Sequence, residues 1–544
     1  MDLKEKPALY AFALGILIHI LYFRIGEHHL YPARYLYGYF GSFIGIAAFL
    51  YHAEEFPVNL AISKSLYLIF THLLGLYSSL VLYRLIFHPL RRFPGPFLSR
   101  VSVFWLSAQL RHKTLYRKLA DLHNEYGDFV RVGPSDLSII HPKGVTAIYG
   151  FKSTCTKSEW YDVSAPLRSL HAHRNRADHD KHRRTWNPGF TDRALHGYEK
   201  RIQVYRQKLI NHIKSKEDDK PVNVGTLFTW YGYDVMGDLA FGQSFDMLGK
   251  SASHWAILMI HDMLKPVEYL MPIWFFRLVL SIPGTAKAFW KFNEYWGKLF
   301  KMRMVTKQDI PDISACLLEP LKGRAPTPDE FNVLLGDASL IINAGGDTTA
   351  TTLTTIIYEL ARRPEEVQKL RTELMGCTTD PNGEYTQESL AVLKHLNAVI
   401  NETLRIHSPV PSYLPRKTPP EGINIGGTHV PGNMHVSCPQ WVIGRSESVY
   451  QNAQDFIPER WYLYPKMIKE RSAFAPFTTG PYTCIGKPLA LMNIRATIAR
   501  LITTFDMRLP PDDDGRALER SMREHFSIYM AEDIQVLFQN VPCS

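Results

Sequence analysis

Residues 474–489 read Phe-Ala-Pro-Phe-Thr-Thr-Gly-Pro-Tyr-Thr-Cys-Ile-Gly-Lys-Pro-Leu, and they place one cysteine in a loop just before an apolar run with helical spacing. A helix beginning around Ile485 would direct its N-terminal amides at the Cys484 sulfur. Those amides and the helix dipole stabilise a thiolate over a thiol. Taken alone, a lone intracellular cysteine is more often a small buried hydrophobic residue. Cys484 is therefore a candidate metal-binding thiolate whose neighbours must decide between the two roles.

The spacing of those neighbours favours the thiolate. Phe477, Gly480 and Gly486 stand at fixed offsets from Cys484, and the pattern Phe-x-x-Gly-x-x-x-Cys-x-Gly resembles the haem-binding segment of the cytochrome P450 superfamily. This resemblance implies haem b as the cofactor, with Cys484 as the axial iron ligand. The family usually has Arg where this chain has Tyr482. Tyr482 can offer a haem propionate only a hydrogen bond, so the charge partner must lie elsewhere.

A long helix is predicted to begin at Thr327. Thr327 can cap it, Pro328 suits the first turn, and Glu330 completes a capping box. Apolar and small residues continue to Ala361, which gives roughly 34 residues, or about 50 Å at about 1.5 Å per residue. Residues 344–349 in its middle read Ala-Gly-Gly-Asp-Thr-Thr. Two glycines inside a helix cost roughly 1 kcal/mol each relative to alanine, so this hexapeptide serves either close helix packing or function.

The hexapeptide resembles the oxygen-binding kink of the same family. On that resemblance, Thr348 would hydrogen-bond the bound dioxygen and Asp347 would relay protons for cleavage of the O–O bond. Gly345 and Gly346 would leave room for the diatomic molecule.

Two further motifs resemble the family's Glu-x-x-Arg and Phe-x-Pro-Glu-Arg-Trp signatures. The first lies in a helix predicted over residues 389–406, and the second spans residues 456–461. The resemblance implies that Glu402, Arg405 and Arg460 form a buried charge network with a structural role, since removal of one member leaves the other charges buried without partners. On the residues alone, an exposed ion pair is the alternative.

Two more arginines are candidates for binding haem propionates. Arg183 ends a segment that resembles the family's Trp-x-x-x-Arg helix, with His179 in place of Trp, and Arg416 resembles an arginine that follows the Glu-x-x-Arg helix. Exposed, solvated basic residues are the alternative for both. Lys181, Arg183 and Arg184 could instead present positive charge to an acidic electron donor.

The N-terminal region predicts a membrane anchor over residues 1–87 with up to three transmembrane helices. Residues 7–23, 35–51 and 66–87 are apolar runs near the length that crosses a bilayer, although the first two are short and one of them could lie in the interface. Basic residues in the first loop and after Arg84 place the remainder of the chain in the cytosol. Residues 88–96 are expected to form a proline-rich hinge, and the resemblance implies that residues 97–544 form a haem-binding catalytic domain.

From about residue 97 the sequence pattern predicts mainly helices, with short strands near residues 129–131, 434–438 and 534–538. The resemblance implies the cytochrome P450 fold, which is mainly α with small β-sheets (α+β). The six cysteines include no Cys-x-x-Cys pair, which argues against a zinc site and a disulfide framework. The net charge of +10 suits membrane lipid or an acidic protein partner, and no basic arm suggests nucleic acid.

The resemblance implies a haem-thiolate monooxygenase that inserts one oxygen atom of O2 into a small lipophilic substrate, in fungal secondary or xenobiotic metabolism. Electrons would come from NADPH through a separate NADPH-cytochrome P450 reductase, with cytochrome b5 as a further candidate donor, because the chain has no Rossmann fingerprint. The endoplasmic reticulum membrane is the expected location. A haem-thiolate isomerase or peroxygenase and a non-catalytic membrane haem sensor are the alternatives. The sequence determines neither the substrate nor whether the product is an alcohol, an epoxide or a closed ring.

Overall fold

The secondary structure is mainly helical, with small sheets, as the sequence predicts. The computed structural model describes residues 6–110, 112–216, 220–285, 287–306 and 312–541, so the first five residues of the predicted anchor and the last three of the predicted catalytic domain lie outside the described residues. The α-helices are α1 Lys6–Ile18, α2 Pro32–His52, α3 Val58–Leu82, α4 Phe97–Val101, α5 Phe104–Gln109, α6 Leu115–Tyr126, α7 Gly144–Tyr149, α8 Arg176–Trp186, α9 Asp192–Lys214, α10 Val224–Phe241, α11 Met247–Lys250, α12 Trp255–Glu268, α13 Ile273–Leu280, α14 Lys287–Val305, α15 Ile313–Leu318, α16 Pro328–Ala361, α17 Pro364–Leu374, α18 Gln387–Ala391, α19 Lys394–Ile406, α20 Gln440–Ile443, α21 Lys487–Thr504 and α22 Ala517–Ser521. The strands are β1 Phe129–Arg131, β2 Asp136–Ile139, β3 Thr156–Lys157, β4 Val222–Asn223, β5 Arg416–Lys417, β6 Ile423–Ile425, β7 Thr428–Val430, β8 His435–Ser437, β9 Phe505–Arg508, β10 Met522–Glu524, β11 Ile528–Met530 and β12 Gln535–Asn540.

The chain divides into two compact units, and the first contains Met1–Gln109, Val130–Leu137 and Leu270–Lys287. In this unit α1 and α3 continue through one π-helical turn each, and the resulting helices, Lys6–Phe23 and Val58–Phe87, are long and apolar enough to cross a membrane. The two helices pack closely, since a Cβ at Gly15 or at Gly75 would overlap a backbone carbonyl of the other helix. Helix α2 packs on α3 and α13. The prediction that three segments span the membrane stays a prediction.

The second unit contains Leu110–Phe129, Ser138–Tyr269 and Ala288–Ser544, and α16 runs through its core. Helix α16 has the predicted 34 residues and begins with the predicted capping box of Thr327 and Glu330. It packs on α10, where a Cβ at Gly232 would lie 2.7 Å from the carbonyl oxygen of Gly346. The glycines thus let two long helices approach each other closely.

Two structural details of the second unit position the candidate site residues. In the antiparallel pair β3 and β5, Lys157 lies opposite Arg416, and β5 pairs in turn with β8. Strands β10 and β11 form a hairpin whose turn contains Phe526 with a positive φ of 105°. That conformation is strained for a residue with a side chain.

The prediction of a single helix over residues 389–406 is wrong for its first residues. The structure has two helices there, α18 and α19, and α19 begins at Lys394. The physical reason is tertiary: the Glu373 carboxylate on α17 accepts from the amides of His395 at 2.8 Å and Leu396 at 2.9 Å. These bonds satisfy first-turn donors of α19 that have no partner within the helix.

Candidate functional site

The loop that carries Cys484 is closed by a backbone hydrogen bond and ends immediately before α21. The Cys484 amide donates to the carbonyl oxygen of Phe477 at 2.9 Å, and α21 begins at Lys487, two residues later than the sequence predicts. The amides of Gly486 and Lys487 point at the thiol. Burial raises the pKa of the Cys484 thiol, while those amides and the cation of Arg183 act in the opposite direction. A bound metal ion would favour the thiolate over the thiol at this position.

A cavity of about 450 Å³ opens onto this loop, and the sulfur-bearing side chain of Cys484 is exposed there. The cavity is lined by Arg183, Asn187, Phe190, Thr483, Cys484, Ile485, Lys487 and Pro488. A large ligand therefore has access to the one side chain in the loop that can bind a soft metal.

The glycines of the loop have unequal steric roles. Gly480 has a φ of +69°, and a Cβ there would overlap the carbonyl oxygen of Tyr149, so only glycine fits. A Cβ at Gly486 would lie 3.8 Å from the Cys484 sulfur, which is an ordinary contact. Gly480 therefore fixes the course of the loop, whereas Gly486 leaves space beside the sulfur.

Helix α8 brings Arg183 and His179 to the loop. The Nη1 of Arg183 donates to the carbonyl oxygen of Thr483 at 2.6 Å, and the His179 ring packs edge-on against Tyr482 with centroids 4.6 Å apart. The helix is held by buried Asp337 of α16, which accepts from His182 Nε2 at 2.5 Å. The two positions where the chain departs from the family pattern, 179 and 482, are thus in contact with each other.

A cluster of cations surrounds the Tyr482 ring. The guanidinium carbon of Arg416 lies 5.1 Å from its centroid and the Lys157 Nζ lies 4.8 Å away. Burial and neighbouring cations lower the pKa of His171 to about 3 and that of His179 to about 4. So much buried positive charge favours an anionic group at this place.

Two polar atoms in the cluster have spare hydrogen-bonding capacity. The Tyr482 hydroxyl and the Nε of Arg416 are buried and have no hydrogen-bond partner among the described residues. The Arg416 Nη1 donates to the Tyr161 hydroxyl at 2.6 Å. Sequence reasoning missed Lys157 and gave Tyr161 and His171 no role in haem binding, because no motif marks these residues. The pairing of β3 with β5 brings Lys157 to the site.

Asp347 and Thr348 lie on α16; the Asp347 side chain contacts other elements, whereas the Thr348 hydroxyl bonds within the helix. Asp347 is buried; its Oδ1 accepts from the Tyr233 hydroxyl at 2.6 Å, and its Oδ2 lies 3.6 Å from His525 Nε2 in the turn between β10 and β11. The Thr348 hydroxyl donates to the Ala344 carbonyl oxygen at 2.6 Å. Burial and the Asp347 carboxylate raise the pKa of Tyr233 well above its usual range. Sequence reasoning missed Tyr233 and His525, which no motif marks.

The two glycines before Asp347 face α10. A Cβ at Gly345 would contact the Met236 side chain at 2.6 Å, and one at Gly346 would contact the Tyr233 ring at 3.0 Å. These contacts match the close-packing alternative. The role of the glycines in leaving room for a diatomic ligand stays a prediction.

Glu402, Arg405 and Arg460 form a third group, fully buried. The Glu402 carboxylate accepts from Arg405 Nε and Arg460 Nε at 2.9 Å each, and also from the Trp461 indole at 2.9 Å and the Ile457 amide at 2.8 Å. The remaining guanidinium donors bind backbone carbonyls of residues 444–455. The structure therefore contains a buried, hydrogen-bonded network and not the exposed ion pair that the sequence left as the alternative.

Comparisons with known proteins bear on the family and the fold of the chain. A sequence model of the family described as cytochrome P450 matches residues 94–532. The chain is 51% identical over 514 residues to the cytochrome P450 monooxygenase notG' of Aspergillus versicolor, covering 94% of each chain. It is 50% identical to the tryprostatin B 6-hydroxylase of Neosartorya fischeri, covering 95% of each chain. The crystal structure of the cytochrome P450DA heme domain superimposes with a TM-score of 0.68 at 18% identity, covering 82% of this chain and 98% of that one, which bears on the fold alone.

Proposed function

The chain belongs to the cytochrome P450 family, and from that premise we propose that it hydroxylates a lipophilic substrate of the tryprostatin B type. It is a monooxygenase of fungal secondary metabolism with a haem b cofactor, and it uses O2 and electrons from a redox partner. The substrate class is supported by one observation, the 50% identity to tryprostatin B 6-hydroxylase over 95% of both chains. NADPH-cytochrome P450 reductase is the proposed electron donor, with cytochrome b5 as a further one.

The residues of the site fit haem b. Cys484 presents a soft ligand to the cavity beside it. Lys157 and Arg416 offer buried positive charge, and the Tyr482 hydroxyl and Arg416 Nε offer donors without partners among the described residues. Haem b carries the two features that these groups match, an iron that binds thiolate and propionate carboxylates that bind cations.

Each proposed residue has one task. The Cys484 sulfur binds the iron, and Phe477 and Gly480 hold the loop that presents the sulfur. Arg183, Arg416 and Tyr482 are the residues proposed to hold the two propionates. When bound, haem supplies the centre at which one atom of O2 enters the substrate and the other leaves as water. Asp347 would deliver the protons that are consumed when the second oxygen atom of O2 leaves as water. The Tyr233 hydroxyl donates to one of its carboxylate oxygens, and His525 lies beside the other.

The apolar helices of the first unit support the proposed attachment of the chain to a membrane. The two apolar helices Lys6–Phe23 and Val58–Phe87 anchor the chain in a membrane. Residues 1–87 are proposed as the anchor, 88–96 as the hinge and 97–544 as the catalytic domain, which faces the cytosol from the endoplasmic reticulum. This placement suits a lipophilic substrate that partitions into the bilayer.

Product formation tests the function directly. The full-length chain is reconstituted in lipid nanodiscs with NADPH, NADPH-cytochrome P450 reductase and tryprostatin B under ¹⁸O2. We expect a product heavier by one oxygen atom that carries the ¹⁸O label and that requires both NADPH and the reductase. An isomerised product, or label taken from peroxide without NADPH, would identify the haem-thiolate isomerase or peroxygenase instead. Binding of haem without any turnover would favour the sensor.

Asp347→Asn is expected to separate proton delivery from haem binding. Asn retains an oxygen that accepts from Tyr233 but cannot carry a proton, so product formation should fall about 10²-fold or more. More of the NADPH consumed should appear as hydrogen peroxide, while the haem content stays unchanged. The matched control is Asp329→Asn, an exposed residue in the first turn of the same helix. Unchanged product yield per NADPH in Asp347→Asn would contradict the assignment.

A further inference from the structure

Lys157 is a buried lysine whose amine, in the part of the chain that the structure describes, contacts backbone oxygens and aromatic rings. Its side chain is 3% exposed, and its Nζ donates to the carbonyl oxygens of His171 at 2.7 Å and Leu170 at 3.2 Å. No carboxylate pairs with it in the part of the chain that the structure describes. Burial and the charges of Arg416 and Arg183 lower the pKa of Lys157 well below its usual range. A buried cation in such surroundings needs a counter-charge.

A second cation faces Lys157 across the strand pair. Lys157 and Arg416 are directly opposite in β3 and β5, and Arg416 is 2% exposed. Like charges at directly opposite positions of an antiparallel pair destabilise the sheet. The nearby acids are already engaged, since Glu159 pairs with Lys417 and Asp162 pairs with Arg174. The strand pair is therefore built around an anion that the described residues do not supply.

The anion that would neutralise the two cations would lie beside Tyr482. Both cations lie within about 5 Å of its ring: the distances to the centroid are 4.8 Å for Lys157 Nζ and 5.1 Å for the guanidinium carbon of Arg416. The Tyr482 hydroxyl and the Arg416 Nε are both buried without hydrogen-bond partners among the described residues. Cation–π contacts and hydrogen bonds to carbonyl oxygens explain the position of the Lys157 side chain. They do not explain why the Tyr482 hydroxyl and the Arg416 Nε are buried without partners among the described residues. A carboxylate would satisfy both donors and neutralise the like-charge pair.

Arg183 is less suited than Lys157 to replace the positive charge that position 482 lacks. Its Nη1 is engaged by the Thr483 carbonyl, and its charge acts on the Cys484 sulfur. Arg183 therefore stabilises the loop that carries the iron ligand in addition to its proposed contact with a propionate, and the charge absent from position 482 comes from the strand pair.

We propose that Lys157 supplies the positive charge that position 482 lacks, and that it holds one haem propionate together with Arg416 and the Tyr482 hydroxyl. This assignment rests on the proposed function, since it requires haem as the ligand. It makes Lys157 a cofactor-binding residue, and it explains how the chain tolerates Tyr at a position that the family pattern gives to Arg.

Haem retention tests the assignment without measuring turnover. Lys157→Met keeps the length of the side chain and removes the charge, and haem transfer from the purified full-length protein to excess apomyoglobin gives the dissociation rate. We expect this rate to rise about 10- to 100-fold, since a charge-assisted bond to a carboxylate is lost. Lys152→Met, an exposed residue nearby in the same segment, is the control and should leave the rate unchanged. A rate within about twofold of wild type for Lys157→Met would overturn the assignment.

A second variant and a second measurement separate cofactor binding from simple stability. Tyr482→Arg added to Lys157→Met should restore slow haem loss, because it returns a cation to the same place. Lys157→Met should lower the unfolding temperature of the haem-bound protein more than that of the apoprotein, because only the haem-bound protein loses the bond to the propionate as well as the bonds to the carbonyl oxygens of His171 and Leu170. An equal fall in both forms, or a double variant that loses haem as fast as the single one, would show a structural role and overturn the assignment. Failure of the proposed function is distinguishable, because a wild-type protein that binds haem but forms no hydroxylated product would still show the difference in haem loss between Lys157→Met and wild type.

Discussion

Replacing Cys484 with alanine should abolish the strongly red-shifted Soret band of the ferrous carbon monoxide complex and reduce product formation to background. The band depends on a thiolate bound to the iron, and Cys484 is the side chain that the loop presents to the cavity. The amides of Gly486 and Lys487 cannot substitute, because they are hydrogen-bond donors. The measurement is the difference spectrum of the reduced, carbon monoxide-treated protein in detergent or nanodiscs.

A second cysteine serves as the control for this prediction. Cys377 is partly buried and packs against the core, and Cys377→Ala should keep the red-shifted band. Cys484→Ser is also informative, since it keeps the size and polarity of the side chain while removing the sulfur. A red-shifted band in Cys484→Ala, or an unshifted band in the wild type, would contradict the ligand assignment.

Replacing Glu402 with alanine should prevent accumulation of folded protein. The substitution leaves Arg405 and Arg460, both fully buried, without their shared carboxylate. Breaking a buried charge pair in this way costs about 3–5 kcal/mol. That loss is a large part of the about 5–15 kcal/mol that usually separates folded from unfolded protein. The measurement is the yield of haem-bound protein and the midpoint of its thermal unfolding.

The network offers a graded series of variants. Arg405→Lys keeps a charge beside Glu402 but loses donors that now bind the carbonyls of Ala453 and Asp455, so its effect should be intermediate. Glu388→Gln changes an exposed carboxylate on the preceding helix and should unfold as wild type does. If Glu402→Ala unfolded within a degree or two of Glu388→Gln, the network would carry no stability.

The sequence correctly predicted those helices and strands that are determined by residues close together in the chain. The capping box at Thr327, Pro328 in the first turn and the uninterrupted small and apolar residues predicted α16 at its observed length, because a helix start depends on residues within one turn. The start of α19 was mispredicted because its cap comes from Glu373, on another helix. The strands near residues 129–131, 434–438 and 534–538 were found as β1, β8 and β12, where β-branched and aromatic residues cluster.

The sequence by itself determined the family, the haem cofactor and the monooxygenase chemistry, because Cys484 and its flanking residues lie within one short segment and carry their pattern in their spacing. Only the tertiary structure decided which groups surround that segment. It paired β3 with β5 so that Lys157 meets Arg416 beside Tyr482, and it brought Tyr233 and His525 to Asp347 from two other elements. The physical reason is that charge compensation in a buried site acts through space, over a few ångströms. Residues 157 and 416 are far apart along the chain, so no local pattern records their proximity.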